Sequence, residues 1–282
     1  MSNYYYLIAG LPDLTLEDSK LSYTIADFRG EIYPSLSDAD KKLIDLFYLK
    51  FDNANVLKLL KNKDAEIDTR GNFSAEELTG YIAAIKEGGT VSPKEFPSYL
   101  VTFIANCFND TPVDDDRELS ENDLAALYYA YGMEHKNTFA ASWFEFNLTL
   151  NNVLAALVAR KYKMDIAPNI VGDTAVTEAL RTSGARDFGL AGGDISYFDP
   201  LVKISEIDEL LEREKRIDML KWNWIEDETF FNYFSVERVF AFLLKIEMIE
   251  RWLSLDKERG KEMFRELIAS LKDDVAIPAE FR

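Results

Sequence analysis

Asn55-Val56-Leu57-Lys58-Leu59-Leu60 and Asn152-Val153-Leu154-Ala155-Ala156-Leu157 are two versions of one phrase, 97 positions apart. Each continues a long stretch whose apolar residues recur at helical rather than alternating spacing. Each then runs into a basic patch, Lys61 and Lys63 in the first copy and Arg160 and Lys161 in the second. A helical phrase used twice signals architecture before chemistry, and it predicts an all-α chain built as a multi-lobed helical bundle with pseudo-repeats. We expect a single helical chain over 1–282, with lobes at 1–115, 116–200 and 201–282.

Composition supports a folded chain and narrows its partners. The 282 residues are 48% hydrophobic, with 19 Phe, 14 Tyr and 4 Trp, enough to bury a substantial core. Fifty Asp and Glu against 32 Lys and Arg give a formal net charge of -18, so the phosphate attraction behind nucleic-acid binding is missing overall. The single cysteine, Cys107, excludes an internal disulfide framework and suits a reducing compartment, with the cytoplasm as the default expectation. No basic region precedes the opening apolar run Tyr4 to Leu11, so no secretory signal is expected. No stretch approaches the roughly 18 to 20 apolar residues that span a bilayer.

Helix starts are marked by caps. Ser37 precedes Asp38 and Asp40, Ser74 precedes Glu76 and Glu77, Ser120 precedes Glu121 and Asp123, and Ser235 precedes Glu237. Turns fall where Gly, Pro and acids cluster, at Gly10 to Asp13, Gly30 to Ser37, Gly88 to Pro97, Asn109 to Arg117 and Gly184 to Pro200. Charges and apolar residues at helical spacing run from Ile204 to Leu220, where Glu212 and Arg216 stand four apart. Tyr4 to Ile8 reads as a short strand or a short helix, since Pro12 interrupts it soon after. In Phe234 to Leu255, Phe242, Ile246, Ile249 and Leu253 form one apolar stripe and Phe240, Leu244, Met248 and Trp252 a second. A helix apolar on two sides sits between neighbours, so its charges, Lys245, Glu247, Glu250 and Arg251, need water or partners.

A search for chemistry mostly returns structural readings. His135 follows Gly132-Met133-Glu134 and reads as a surface residue at a helix end. Cys107 lies among Phe103, Ile104 and Phe108 and reads as core. Glu66 to Glu77 imitates a calcium loop, with Gly71 at its sixth position, but Arg70 occupies the fifth, where an oxygen ligand belongs. Asp114-Asp115-Asp116 reads as a solvated acidic loop. Gly184 to Asp194 lacks the Gly-Lys-Ser/Thr ending of a phosphate cradle. No metal, cofactor or catalytic set is therefore assigned. The aromatic group Trp222, Trp224, Phe230, Phe231, Tyr233 and Phe234 divides between lobe packing and a partner-binding surface.

The first phrase in its context, Phe51-Asp52-Asn53-Ala54-Asn55-Val56-Leu57-Lys58-Leu59-Leu60, resembles the aromatic-Asp-x-x-Asn helix of the C-type central-stalk component of prokaryotic V-type (A-type) ATPases, the equivalent of the eukaryotic d-type component. The second phrase is similar to that family's later Asn-containing helix, and Phe242 to Arg251 to its closing helix. The whole chain, including Tyr4-Tyr5-Tyr6-Leu7-Ile8-Ala9-Gly10-Leu11-Pro12-Asp13, also resembles an uncharacterised Bacteroidetes family associated with V-type ATPase operons. Two departures stand out: the C-type family opens on an arginine-rich helix where this chain has Tyr and Gly-Leu-Pro, and Thr149 stands where the first copy has Asp52.

The resemblance implies a funnel-like helical protein without catalysis of its own. It would be a socket between the rotating central stalk and the membrane proteolipid ring, peripheral on the cytoplasmic side of the inner membrane. Its partners would be central-stalk and proteolipid-ring subunits, and Asp52, Asn55, Asn152, Lys245 and Glu247 would hold lobes together or line the socket. Two other classes remain open from sequence: a helical adaptor using the Trp222 to Phe234 aromatics, and a hydrolase whose carboxylates are distant in sequence.

Overall fold

The two copies of the repeated phrase lie on two long helices, each apolar around most of its circumference. The computed structural model describes residues 4–18, 20–109, 121–190, 192–193 and 195–274. The first long helix, Asp38–Lys61, buries Leu43, Ile44, Leu46, Phe47, Tyr48, Leu49, Val56 and Leu59. The second, Thr138–Lys161, buries Phe139, Phe144, Phe146, Leu148, Leu150 and Val153 among others. A helix apolar around most of its circumference belongs largely in an interior, and each fully buried Leu or Phe there contributes on the order of 1.5–3 kcal/mol.

The fold is all-α, as the periodicity predicts, and no strand occurs among the described residues. In chain order the α-helices are α1 (Tyr5–Ala9), α2 (Ile25–Asp27), α3 (Asp38–Lys61), α4 (Ala75–Lys86), α5 (Ser98–Asn109), α6 (Glu121–Met133), α7 (Thr138–Lys161), α8 (Ala175–Thr182), α9 (Phe198–Ser205), α10 (Leu210–Thr229) and α11 (Val236–Asp274). The ambiguous Tyr4 to Ile8 stretch is helical: the Tyr4 carbonyl accepts from Ile8 N–H, and the turn closes at Gly10. Among the described residues, no helix is long and apolar enough to cross a membrane.

Two of the four expected starts are made as local chemistry dictates. Ser37 accepts from Asp40 N–H, and Ser74 and Glu77 form a reciprocal capping box. Ser235 behaves otherwise. Its Oγ is buried without a hydrogen-bond partner, and Arg238 N–H bonds to its backbone carbonyl instead. Ser120 and the Asp114-Asp115-Asp116 loop lie outside the described residues. The second half has caps that the sequence reading passed over, Asn137 for α7 and a Thr174/Thr177 box for α8.

The chain divides into two compact units, Met1–Leu36 with Trp222–Arg282, and Ser37–Lys221. The expected boundary at 115/116 lies outside the described residues. The two ends of the chain share the first unit, an association that lobes laid out in sequence order do not contain. Within it, Tyr4 N–H donates to the Phe234 carbonyl at 2.9 Å, and Ile25 N–H to Glu250 Oε2 at 3.4 Å. α11 buries both of its predicted rows as far as Met248 and Ile249.

The second unit shows the repetition as architecture. α3, α4 and α5 start at Asp38, Ala75 and Ser98, and α7, α8 and α9 start at Thr138, Ala175 and Phe198, a hundred residues further on in each case. Both long helices have 24 residues. Tyr99 on α5 donates to Asn53 Oδ1 at 2.6 Å and Tyr128 on α6 to the Leu46 carbonyl at 3.2 Å, tying both helices to α3. On the other side of α6, Asn151 Nδ2 of α7 donates to Tyr129 Oη at 3.0 Å.

Candidate functional site

The motif Asp52-x-x-Asn55 is wholly buried, and its polar atoms are committed to one loop. Asn55 Nδ2 donates to the Asp68 carbonyl at 2.9 Å, while Asp68 N–H donates to Asn55 Oδ1 at 2.7 Å. The side-chain amide thus pairs with the backbone N–H and carbonyl of one residue as a neighbouring strand would, which gives a partly exposed loop backbone partners without a sheet. One helical turn earlier, the Asp52 carboxylate accepts from Asn72 N–H at 2.9 Å and Phe73 N–H at 3.2 Å. Gly71 passes so close to Asp52 Oδ1 that any Cβ there would overlap it. That is the reason for glycine at this position.

The same segment explains why the calcium-loop reading fails. Arg70 donates to both Asp68 oxygens at 2.6–3.1 Å and stacks over the Phe51 ring at 4.3 Å. Its hydrogen bonds hold the Asp68 carboxyl below the usual carboxylate range, against a smaller opposing effect of burial. The fifth position supplies a resident cation. Among the described residues, no group of three His, Cys, Asp or Glu is placed to hold a metal ion.

Asn152 repeats the clamp. Its Nδ2 donates to the Val171 carbonyl and its Oδ1 accepts from Val171 N–H, both at 2.8 Å. Gly172, at φ +82°, follows at once and lies against Leu148, and Arg181 from α8 donates to the Ile170 and Gly172 carbonyls at 3.0 and 2.7 Å. Thr149, where the first copy has Asp52, takes a different role: it is buried and hydrogen-bonded to Tyr197, whose hydroxyl is pushed up to about 12, chiefly by burial. Arg181 therefore holds from outside a loop that Asp52, in the first copy, holds from within.

Lys245 and Glu247 stand on different sides of α11. Lys245 is buried on α11 with its ammonium over the Trp222 ring at 4.8 Å, and it pairs with Glu226 of α10. Arg238 stands 3.5 Å from the other Glu226 oxygen and donates to Thr229 Oγ1 at 3.2 Å. Burial pushes the Lys245 ammonium down despite its partner, and burial raises Glu226 by less than its two cations lower it. Beside this cluster is a cavity of about 130 Å³, lined by Ile8, Leu11, Pro12, Arg238, Phe242 and Lys245 among others. Glu247 is half-buried two residues on, about 200° around the helix from Lys245.

The aromatic group splits by position. Trp222 is core beneath Lys245 and Trp224 is half-buried, whereas Phe230, Phe231, Tyr233 and Phe234 at the α10–α11 turn are 63, 80, 60 and 40% exposed. Tyr5 joins them with its ring 4.6 Å from Phe234, and Tyr6, 90% exposed, packs edge-on against Tyr5. Sequence reasoning missed these two, although the run Tyr4-Tyr5-Tyr6 was the available signal: three adjacent tyrosines on a short helix cannot all face a core.

The remaining candidates resolve into structure. His135 is half-buried rather than a free surface residue, and its Nδ1 accepts from Asn137 N–H at 3.1 Å beside the α7 cap. Cys107, expected in the core, is only half-buried. The basic ending of α7 is tied down as well: Arg160 stacks on Phe188 at 3.6 Å and donates to the Arg186 carbonyl, and Lys161 pairs with Asp208 at 2.6 Å.

These features define a helical protein whose motif residues pin loops and which exposes aromatic rings at α1 and at the α10–α11 turn. The chain matches the model of a family described as "Protein of unknown function (DUF2764)" over residues 1–275, and it belongs to that family. Comparison with curated proteins and with solved structures finds no match.

Proposed function

We propose that this chain is a non-catalytic coupling subunit of a bacterial V-type ATPase, a socket between the rotating central stalk and the proteolipid ring on the cytoplasmic side of the inner membrane. The observation that carries the reading is the doubled clamp. Asn55 and Asn152, two of the residues that carry the resemblance to the C-type family, perform the same operation on two helix–loop units. A torque coupler has to resist deformation, and buried amide clamps on long helices favour one loop geometry over its alternatives. Such a role asks for no nucleophile, metal or nucleotide.

The exposed aromatic turn favours a second reading, a helical adaptor unrelated to rotary ATPases. Affinity purification of the native complex from membranes separates the two. Recovery with central-stalk and proteolipid-ring subunits is the expected result, and a chain recovered free of every V-type ATPase subunit overturns the proposal.

A further inference from the structure

Among the described residues, six aromatic rings in the first unit are 40% exposed or more, and the segments that carry them come from opposite ends of the chain. Tyr5 and Tyr6 arrive on α1, and Phe230, Phe231, Tyr233 and Phe234 on the turn between α10 and α11. The bond from Tyr4 N–H to the Phe234 carbonyl fixes the two segments together. The rings touch in sequence, Tyr6 to Tyr5 at 5.4 Å, Tyr5 to Phe234 at 4.6 Å and Phe234 to Tyr233 at 6.3 Å, with Phe230 and Phe231 4.9 Å apart in the same turn. An aromatic side chain buries roughly 150–250 Å² when covered, so these exposures leave on the order of 700 Å² of ring surface in water. That is more than a monomer usually tolerates and close to the roughly 800 Å² that each partner gives to a stable interface.

The charge around the rings decides what covers them. Asp227 and Glu228, both exposed, stand three and two residues before Phe230, and Glu237 follows the turn. Among the described residues, Arg238 and Lys245, the two cations that follow the turn first, both pair with Glu226. A second copy would bring the same acids against these, within a chain of net charge -18. Anionic lipid headgroups would be repelled in the same way, and interfacial helices that bind them carry Lys and Arg.

We propose that this surface docks a protein segment presenting Lys or Arg around an apolar centre. The apolar centre covers the rings, the ring faces take the cations, and Asp227 and Glu228 steer the approach. The proposal rests on a protein-binding role but not on the rotary ATPase. Failure to co-purify with ATPase subunits would leave it standing, and loss of the binding described next would sink it whatever co-purifies.

The test uses the full chain with a synthetic amphipathic helical peptide, Leu on one face and Lys on the other, followed by fluorescence anisotropy at two salt concentrations. A Leu/Glu peptide, phosphatidylglycerol vesicles and sedimentation of the chain alone present the competing occupants. Because an acidic chain attracts any cation, substitutions at the patch discriminate. Phe231→Ser with Tyr6→Ser weakens Leu/Lys binding at least tenfold, and Tyr6→Ser alone weakens it in the same direction. Tyr162→Ser, which removes an exposed aromatic of the second unit, leaves it unchanged. Both patch residues lie in solvent, so helical circular dichroism is retained. Binding indifferent to the patch substitutions overturns the proposal, as does vesicle binding or self-association that they abolish.

Discussion

Asn152 and Val171 exchange two hydrogen bonds of equal length, 2.8 Å in each direction, between a side-chain amide on α7 and the backbone N–H and carbonyl of one residue in the loop leading to α8. The arrangement needs both a donor and an acceptor on one rigid plane. Only Asn has that at this reach; Gln is a methylene too long and Asp lacks the donor.

Asn152→Ala should therefore cost about 1–3 kcal/mol, because the N–H and carbonyl of half-buried Val171 both lose their partner and regain hydrogen bonds only in part from water, where a fully buried group would lose roughly 1–3 kcal/mol by itself. Asn152→Asp should also destabilise, by setting a carboxylate against the Val171 carbonyl. Asn55→Ala should behave alike at the first clamp. Urea unfolding followed by circular dichroism checks this, and a midpoint unchanged in both alanine variants would mean that the clamps carry no load.

How much of this was legible follows from range. Ser37 and Ser74 were readable as caps because cap and target lie three residues apart in one local pattern. The partners of Asn55 and Asn152 were not, since Asp68 and Val171 lie in loops whose sequences carry no periodicity. The repeated phrase pointed to duplication, but its spacing of 97 differs from that of the helix starts, so the second Asn sits nearly one turn earlier in its helix than the first. Lys245 was readable as needing a partner, and Glu226 was not identifiable as that partner, because the pairing depends on how α10 meets α11.

Two glycines should respond oppositely to alanine. A Cβ on Gly71 would overlap Asp52 Oδ1, so Gly71→Ala should destabilise by about 1–3 kcal/mol. Gly80, in α4, has nothing within 4 Å of its would-be Cβ, and Gly80→Ala should stabilise by about 0.5–1 kcal/mol. In a double-mutant cycle with Asp52→Ala, the Gly71 penalty should shrink, since the overlapping atom is gone.

His135 gives a pH dependence with a definite sign. Burial, and secondarily Lys136, lowers its folded value below the ordinary 6.5, so the fold favours the neutral ring that accepts from Asn137 N–H. The contribution is fully present above about pH 6.5 and is lost as pH falls through the lowered folded value. It is the only histidine in the chain, so stability measured between pH 7.5 and 5 should fall in the native protein and fall less in His135→Asn. Asp68 and Glu77, held low by Arg70 and by Ser74 respectively, lose their contributions only on further acidification below about pH 4. The two windows are therefore separable.

The Lys245–Glu226 pair should be asymmetric under substitution. Lys245 is buried while the Glu226 side chain is 45% exposed, so removing the acid leaves an ammonium in an apolar setting, and removing the lysine leaves an acid that can still reach water and Arg238. Glu226→Gln should therefore cost more than Lys245→Met, which keeps the length of the side chain and its contact with Trp222. The double variant should recover most of the Glu226→Gln loss, because the stranded charge is gone. Because Glu226 is partly solvated, the single-variant loss should be nearer 1–2 kcal/mol than the roughly 3–5 kcal/mol of a fully buried broken pair. Equal losses for the two single variants would show that the ammonium reaches water by another path, and the cavity beside Ile8 and Leu11 would be that path.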